Sequence, residues 1–342
     1  MFLQILWFIL IAVLYIVYLF LDGIDFGTGM LLPFLTKNDQ VRGQILRTIG
    51  PHWGANEVWL LTAGGATFAA FPLWYATMFS GMYIALFLLL AALIVRGVSI
   101  EYRNNVESPA ARKALDFCIA AGDFLPPLLL AVALSSLLQG LPIDGGHVFT
   151  GSLLSLFSPL TLLSGLSAVA FFVYHGAVEL ELRMPESGLK LKPVAAVSGI
   201  VVLVLAAGLF LAAAIQVNLL AKPLSAVLLA LGIAAFAASY FAKRAGKAGT
   251  ALILNAVTIV CAVGGLFAAL FPNVMISSTS AANSLTVTNS SSSQYTLRIM
   301  TAVTCVLLPI VIAYTAWSYW LFARKSAEKS ASAEPERDAV PY

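Results

Sequence analysis

The sequence predicts an all-α polytopic membrane protein, and three observations lead to that fold class. Of the 342 residues, 60% are hydrophobic and only 10% are charged, and the mean hydropathy is +0.93. Soluble domains carry about 25% charged residues, so a soluble fold is excluded. Apolar runs of membrane-spanning length recur along the whole chain, and prolines and glycines lie in the connectors between them.

A transmembrane helix needs about 20 apolar residues, and nine runs of the sequence meet that requirement. They are 3–21 (with an optional continuation to 35), 52–72, 74–97, 115–139, 152–178, 193–215, 220–242, 249–271 and 297–322. The first run has no basic segment before it and no small-residue cleavage site after it, so we expect a retained span. The uncharged segment 276–295 is rich in Ser, Thr and Asn and is predicted to be an exposed loop.

Basic residues are distributed unevenly over the connectors, which sets the predicted orientation. With nine spans, 17 of the 19 Lys and Arg residues fall on one side of the membrane, and only Lys222 and Arg298 fall on the other. Arg96, at the end of the run 74–97, is counted among the 17 as part of the connector that follows it. Cytoplasmic loops carry the excess of positive charge. The N-terminus is therefore predicted to lie outside and the C-terminus in the cytoplasm.

Five acids lie within or at the ends of the predicted spans: Asp22, Asp25, Glu57, Glu101 and Asp123. All five fall toward the cytoplasmic side of the first four spans. A carboxylate in a bilayer costs roughly 3 kcal/mol on insertion scales and marks a functional site by default. Acids gathered on one side suit a proton inlet from the cytoplasm, because carboxyl groups can accept and release protons.

Structural roles remain open for three of these acids. Glu101 and Asp22 could reach interfacial water or pair with basic neighbours such as Arg96. Asp123 precedes two prolines and could satisfy backbone groups that those prolines leave free. Asp25 and Glu57 lie deeper in their spans, where a purely structural role is harder to justify.

The sequence offers little for a metal or haem. Only three histidines occur (His52, His147 and His175), and a bis-histidine haem needs a facing pair on helices. Trp53 and His52 are weak candidates for contact with a cofactor, and an interfacial anchor or helix-cap role is the simpler interpretation. The three cysteines lack metal-site or haem-attachment spacing. We therefore expect no metal ligated by this chain and no catalytic residue on it.

Five separated blocks of the sequence resemble one family. They are LDGIDFGTGML (21–31), GPHWGANEVWLLTAGGATFAAFP (50–72), SGMYIALFLLLAALIVRGVSIEYR (80–103), FLPPLLLAVALSSLLQG (124–140) and LFPNVMISSTSAANSLTVTNSSSSQYTLRIM (270–300). The chain is similar over residues 5–322 to subunit II of cytochrome bd-type ubiquinol/menaquinol oxidases. The middle of the chain, 180–260, is similar only in hydropathy.

The resemblance implies an architecture of two four-helix bundles and one peripheral helix. On this chain the carboxylate-bearing first bundle would be 1–140 and the second 141–271. Residues 272–322 would hold the outer loop and the ninth helix, and 323–342 a disordered cytoplasmic tail.

The resemblance also implies a function within a complex. Subunit I of the same oxidase, an obligate partner, would carry two haems b and haem d, oxidise quinol and reduce O2 to water. Subunit II would support assembly of the haems and offer a cytoplasmic proton path in a bacterial or archaeal plasma membrane. A structural quinone and a small accessory subunit are possible additions, and no nucleic acid is expected.

Residue by residue, the family's motifs fall on positions that the acids already single out. Its Asp-Gly-x-Asp motif falls on Asp22 and Asp25, its Pro-x-Trp motif on Trp53, its Asn-Glu/Gln-Val-Trp run on 56–59 and its acid-Tyr-Arg motif on 101–103. Many relatives have Asp after that Trp, whereas this chain has Gly54. A proton route would then depend on Glu57 or Asp25, and Asp123 would be a local compensation.

Two alternatives remain at this stage. The cyanide-insensitive variant oxidase has a closely similar subunit II, and a proton-coupled secondary transporter would also have many spans and buried acids. A visible spectrum of the purified complex separates the three, since haem d, haem b alone and no haem give different bands.

Overall fold

The computed structural model describes residues 1–331, with side chains as far as 321. Eleven α-helices and two short strands lie in this part of the chain. The helices are α1 (Phe2–Leu35), α2 (Asp39–Ile49), α3 (Trp53–Ala70), α4 (Pro72–Gly81), α5 (Tyr83–Arg103), α6 (Pro109–Gln139), α7 (Pro159–Arg183), α8 (Leu191–Gln216), α9 (Pro223–Arg244), α10 (Ala248–Leu270) and α11 (Gln294–Ala331), and the strands are β1 (Asn273–Met275) and β2 (Leu285–Thr286).

The all-α membrane class is confirmed in its coarse form. Eight of the described helices, α1, α5 to α10 and α11, are long and apolar enough to cross a membrane. The predicted second span is shorter and more polar: α3 has 18 residues and carries Asn56 and Glu57 in its first turns. The predicted division into two four-helix bundles stays a prediction.

Several boundaries differ from those predicted. The predicted third span, 74–97, is divided between α4 and α5, because the helix is interrupted at Met82. Pro72 starts α4 at its first turn, where a missing N–H has no cost. Residues 323–331, expected to be disordered, continue α11, in keeping with the helix-forming Ala, Lys and Glu there. The rest of the predicted tail, 332–342, lies outside the described residues.

Residues 1–293 form one compact unit, and α11 belongs to a second one. Within the first unit, sequence neighbours pack as antiparallel pairs: α5 with α6, α7 with α8, and α9 with α10. α1 lies among α3, α6, α7 and α10 and so contacts both halves of the unit. Any group on α1 is therefore positioned by helices from both halves.

The amphipathic helix α2 closes one end of this unit, which we call the α2 end. Asn38 caps the helix, because its side-chain Oδ1 accepts the backbone N–H of Gln40 at 3.0 Å. Ile45, Leu46 and Ile49 are buried against the ends of other helices. The apolar residues that they join are Leu32, Ile100, Ile119, Leu180 and Leu191. An apolar layer thus separates α2 from the interior of the helices above it.

The opposite end is covered by residues 272–293, which we call the serine loop. It was expected to be exposed, but Leu285, Val287 and Ser290 are buried, and β1 pairs with β2. Ser277 Oγ donates to the carbonyl of Ile143 at 3.1 Å, and Ser292 Oγ donates to that of Ala69 at 2.6 Å. The loop is therefore folded onto its own chain.

Candidate functional site

The centre of the site is Arg96, which the sequence analysis had placed in a connector. Arg96 lies inside α5 and is fully buried. Its two terminal nitrogens donate to the two oxygens of Asp22 on α1, at 3.0 and 2.7 Å. This two-pronged arrangement is the strongest geometry that an arginine and a carboxylate adopt. The counting of Arg96 among the loop cations was wrong.

Three further carboxylates surround the same guanidinium. Asp123 on α6 is 2.8 Å from Arg96 Nε, an ion-pair distance although the N–H is not aimed for a hydrogen bond. Asp25 and Glu57 each have an oxygen 3.7 Å from an Arg96 nitrogen. We call this set, Arg96 with its four carboxylates, the Arg96 cluster. Four of the five predicted acids thus converge from α1, α3 and α6.

Local packing explains how four helices can bring these groups together. Gly29 on α1 makes room for Asp123, since a Cβ at that position would lie 1.6 Å from Asp123 Oδ2. Asn56 on α3 donates its side-chain amide to Asp25 Oδ2 at 2.9 Å and is itself buried. The Arg96 guanidinium also lies over the Phe26 ring, 4.7 Å from its centroid.

Members of the Arg96 cluster differ in their access to the surface. The side chains of Arg96, Asp22 and Asp123 have no exposed area, and Asp25 has 4%. Glu57 has 21% of its side chain exposed. Glu57 is therefore the one member of the cluster through which the surface of this chain can be reached directly.

Glu101, the fifth predicted acid, does not join the cluster. It is exposed at the α2 end of α5, and its carboxylate accepts the indole N–H of Trp53 at 3.1 Å. Trp53 precedes Glu57 by one turn of α3, so its ring lies between the levels of these two acids. His52 is buried just before α3, and its burial, with a smaller effect of Arg183, lowers its pKa to about 4.

A second charged cluster at the α2 end was missed by sequence reasoning. Asp116 on α6 is buried, and its carboxylate accepts hydrogen bonds from Arg42 at 2.7 Å and from Arg103 at 2.8 Å. Arg103 and Arg112 also pair with Asp39 at the start of α2. We call these five residues the α2 clamp. Asp116 lies at the beginning of the predicted span 115–139, but the sequence analysis did not include it among the acids of the spans.

The pKa of Asp39, at the exposed edge of the α2 clamp, is shifted by its surroundings. Partial burial alone raises the pKa of Asp39, but the hydrogen bonds from Arg103 and Arg112 outweigh it. The net effect is a pKa below the usual range of an aspartate. Asp39 is therefore ionised at neutral pH and holds α2 to the ends of α5 and α6.

The whole chain, with its site, matches one family. The family model described as cytochrome bd terminal oxidase subunit II matches residues 3–322. This chain belongs to that family. Among similar proteins, cytochrome bd-I ubiquinol oxidase subunit 2 of Escherichia coli (strain K12) is 37% identical, over 95% of this chain and 96% of that protein. Cytochrome bd ubiquinol oxidase subunit 2 of Bacillus subtilis (strain 168) is 37% identical, over 95% and 97%.

A solved structure supports the fold. The bd oxidase from Geobacillus thermodenitrificans contains a chain that aligns with a TM-score of 0.74 at 16% identity, covering 94% of this chain and 99% of that one. The predicted family is thus confirmed, and the transporter and the cyanide-insensitive variant are not favoured. Membership as subunit II implies a subunit I partner and haem in the complex.

Two of the three histidines of this bd oxidase subunit II, His175 and His147, do not fit haem ligation. Both ring nitrogens of the buried His175 lie within hydrogen-bonding distance of protein atoms, at 3.3 Å from the Phe20 carbonyl and 3.1 Å from the Asn255 amide. His147 lies in the connector after α6, with Nδ1 at 3.3 Å from a backbone carbonyl. Within the described residues, no group of three or more His, Cys, Asp or Glu side chains is placed to hold a metal ion.

A second feature of this subunit is an apolar cavity of about 250 Å³. It is enclosed by α6 to α10, and Phe171, Phe172 and Phe236 are among its lining residues. Ser167 also lines it, and its Oγ is buried without a hydrogen-bond partner in the described part of the chain. An elongated apolar ligand with one hydrogen-bonding group would match this lining.

Proposed function

We propose that this chain supplies protons to the oxidase complex, and that the Arg96 cluster is the station through which they pass. One guanidinium can balance only one of the four carboxylates that surround it. Burial of several unpaired negative charges is prohibitively costly. The cluster therefore holds protons as well as Arg96, and this imbalance is the observation that carries the proposal.

The proposed direction of supply follows from the orientation that the basic residues indicate. With the N-terminus outside and the C-terminus in the cytoplasm, the α2 end faces the cytoplasm. The excess of basic residues on the cytoplasmic side remains when Arg96 is counted as a residue within a span instead of a connector residue. Protons would then enter from the same side on which all four carboxylates lie.

The entrance is proposed to run through Glu57 rather than past α2. The apolar layer made by Ile45, Leu46 and Ile49 separates α2 from the interior and offers no proton carrier. Glu57 is partly exposed, and Glu101 lies beyond it with Trp53 between them. Since Gly54 supplies no carboxylate, Glu101, Glu57 and Asp25 form the acid series from the surface inward, with Asp22 and Asp123 beside them.

α3 completes the proposed set of nine spans. Its 18 residues include Asn56 and Glu57, so contact with lipid along its whole length would be unfavourable. Coverage by subunit I would make a span of this composition acceptable. The two four-helix bundles, α11 as the peripheral ninth helix and a location in a bacterial or archaeal plasma membrane belong to the same proposal.

The cofactors are proposed to reside on subunit I. Two haems b and haem d would supply electron transfer from quinol at the outer face and reduction of O2 there. The engaged or peripheral histidines of this chain support that assignment. The cavity within α6 to α10 is proposed as a site for a structural quinone, whose head group could hydrogen-bond to Ser167.

The experiment that tests the proton supply uses Glu57→Gln and Asp25→Asn in the purified complex. Both substitutions keep the shape of the side chain and remove the ionisable group. We expect quinol oxidation and coupled proton uptake to fall by about tenfold or more in each, at unchanged haem content, as for loss of a general acid or base. Asp144→Asn is the matched control, because Asp144 is exposed and only caps a turn. Wild-type proton uptake in both cluster variants would refute the proposal.

A further inference from the structure

The second half of the chain contains a buried hydrogen-bond network without any charge. His175 on α7, Asn255 on α10 and Ser239 on α9 have no exposed area, and neither has Tyr174. Asn255 Nδ2 lies 3.1 Å from His175 Nδ1, Ser239 Oγ lies 2.7 Å from Asn255 Oδ1, and Tyr174 Oη lies 3.2 Å from Ser239 Oγ. We call these four residues the His175 network.

The partners in this network assign the tautomer of the imidazole. The Phe20 carbonyl next to Nε2 can only accept a hydrogen bond, and the Asn255 amide nitrogen next to Nδ1 can only donate one. Ser239 Oγ lies 2.7 Å from Asn255 Oδ1 and 3.0 Å from the Ala251 carbonyl oxygen. His175 Nδ1 is then an acceptor, and Nε2 carries the proton. Nε2 donates to the carbonyl oxygen of Phe20 at 3.3 Å. The network therefore ends on the backbone of α1.

That end point lies beside the Arg96 cluster in sequence and in space. Phe20 precedes Asp22 by two residues on α1. About two turns further along α1, α1 and α7 touch through Gly27 and Gly176, where a Cβ on Gly27 would lie 1.8 Å from the Phe172 carbonyl. This glycine contact sets the distance between the two helices. The His175 hydrogen bond adds a directional contact that opposes sliding of α1 along α7.

The cluster has little tolerance for such sliding. A shift of one residue along α1 moves a side chain by about 1.5 Å. The two Arg96–Asp22 hydrogen bonds measure 2.7 and 3.0 Å, so a shift of that size would break both. Misplacement of a reacting group by about 1 Å can slow a reaction about 100-fold.

We infer that His175 is a positioning residue, which holds the Asp22–Asp25 segment of α1 in register with Arg96 and thereby couples α9 and α10 to the cluster. Among the described residues, no carboxylate is recorded in contact with its ring: the nearest acid on α7, Glu179, pairs with Arg183 at 2.6 Å, and Glu181 pairs with Lys243 on α9. Phe20 and Phe171 are the aromatic neighbours of the imidazole, with Phe171 stacked on it. The inference rests on the proposed proton supply.

The test compares His175→Leu, which removes the donor, with His175→Gln, whose amide can still donate to the Phe20 carbonyl. Both are made in the complete complex at matched haem content. We expect His175→Leu to slow turnover about tenfold and to shift its pH profile, and His175→Gln to restore most of both. In the double variant with Asp22→Asn, the His175→Leu substitution should cause a smaller loss than it does alone, because part of its effect passes through Asp22.

Matched controls keep this test decisive. Ser198→Ala on α8 removes a buried hydroxyl that bonds only to the Val194 carbonyl of its own helix, and it should leave the pH profile unchanged. If His175→Leu yields no complex, Ser239→Ala is tested in its place. We expect Ser239→Ala to shift the pH profile of turnover in the direction expected for His175→Leu, by a smaller amount.

Two outcomes would overturn the inference: a wild-type pH profile in the assembled His175→Leu or Ser239→Ala complex, or additive losses with Asp22→Asn. If turnover is slow in Glu57→Gln and Asp25→Asn but normal in His175→Leu, this inference is refuted and the proposed function is not. Normal rates in the carboxylate variants would refute the proposed function.

Discussion

Apart from the partly exposed Glu57, the Arg96 cluster and the His175 network are both buried between helices, yet their polar groups are stabilised in opposite ways. The first places four carboxylates around one guanidinium and leaves an excess of negative charge. The second contains uncharged groups that are joined to one another by hydrogen bonds. Matched neutral networks fix the arrangement of helices. An unbalanced charged cluster is expensive, which marks it as the part that exchanges protons.

Of the tests of this difference between the two regions, removal of the Arg96 charge is expected to have the largest effect. In Arg96→Leu the four carboxylates lose their only neighbouring guanidinium, and removal of one partner from a buried ion pair costs about 3–5 kcal/mol. We expect little or no haem-loaded complex in membranes. The yield is measured by the haem spectrum per unit of total membrane protein.

The control for this substitution retains the charge. Arg96→Lys keeps a cation in the cluster but cannot form the two-pronged contact with Asp22, so its yield should be intermediate. Normal yield and stability of Arg96→Leu would show that the carboxylates do not depend on the guanidinium, and the distinction between the two regions would fail.

The sequence could predict the long helices because lipid imposes a length and a composition on them. α6 to α10 match the predicted spans closely for this reason. The break at Met82 was missed, since the Gly81 before it looks in an apolar run like a glycine inside a span. The serine loop was misjudged because its burial depends on contacts with distant carbonyls.

The site shows the same limit. Polar residues in apolar segments identified Asp22, Asp25, Glu57 and Asp123 individually, because each is costly there. Their convergence on one arginine is a tertiary fact: they come from three helices, and hydropathy cannot assign a charge near a span end to the inside or the outside. Arg96 was therefore placed in a connector, and Asp116 was overlooked.

A substitution with a smaller expected effect tests whether the proton route extends from Glu57 out to Trp53 and Glu101. Gly97 on α5 holds the edge of the Trp53 ring, and a Cβ there would lie 2.7 Å from the indole. Gly97→Ala should displace Trp53 and break its hydrogen bond to Glu101. We expect proton uptake to slow about fivefold, which corresponds to about 1 kcal/mol for one lost hydrogen bond.

The matched control is Gly249→Ala on α10, where an added Cβ would meet nothing within 4 Å. It should leave proton uptake unchanged. A normal rate in Gly97→Ala would separate Trp53 and Glu101 from the proton route and leave Glu57 as its outermost acid.

The smallest effect concerns the α2 clamp, where a charged cluster is within reach of water and can be titrated. The folded-state pKa of Asp39 is lowered by Arg103 and Arg112. Its contribution to stability is therefore fully present above the unfolded value of about 3.9 and is lost as the pH falls through the lower folded value. We expect hydrogen exchange in α2 to quicken, after correction for intrinsic rates, only below about pH 4.

Asp39→Asn should show the faster exchange already at neutral pH and little further change on acidification. Because Asp39 is half exposed, solvent screening keeps the effect small. At neutral pH, where the His175 network is uncharged, Asp39→Asn should leave exchange in the helices of that network unchanged. Equally faster exchange of α2 and α10 in this variant at neutral pH would show that charge does not distinguish the two kinds of cluster. The proton-exchanging role would then have to be sought outside the Arg96 cluster.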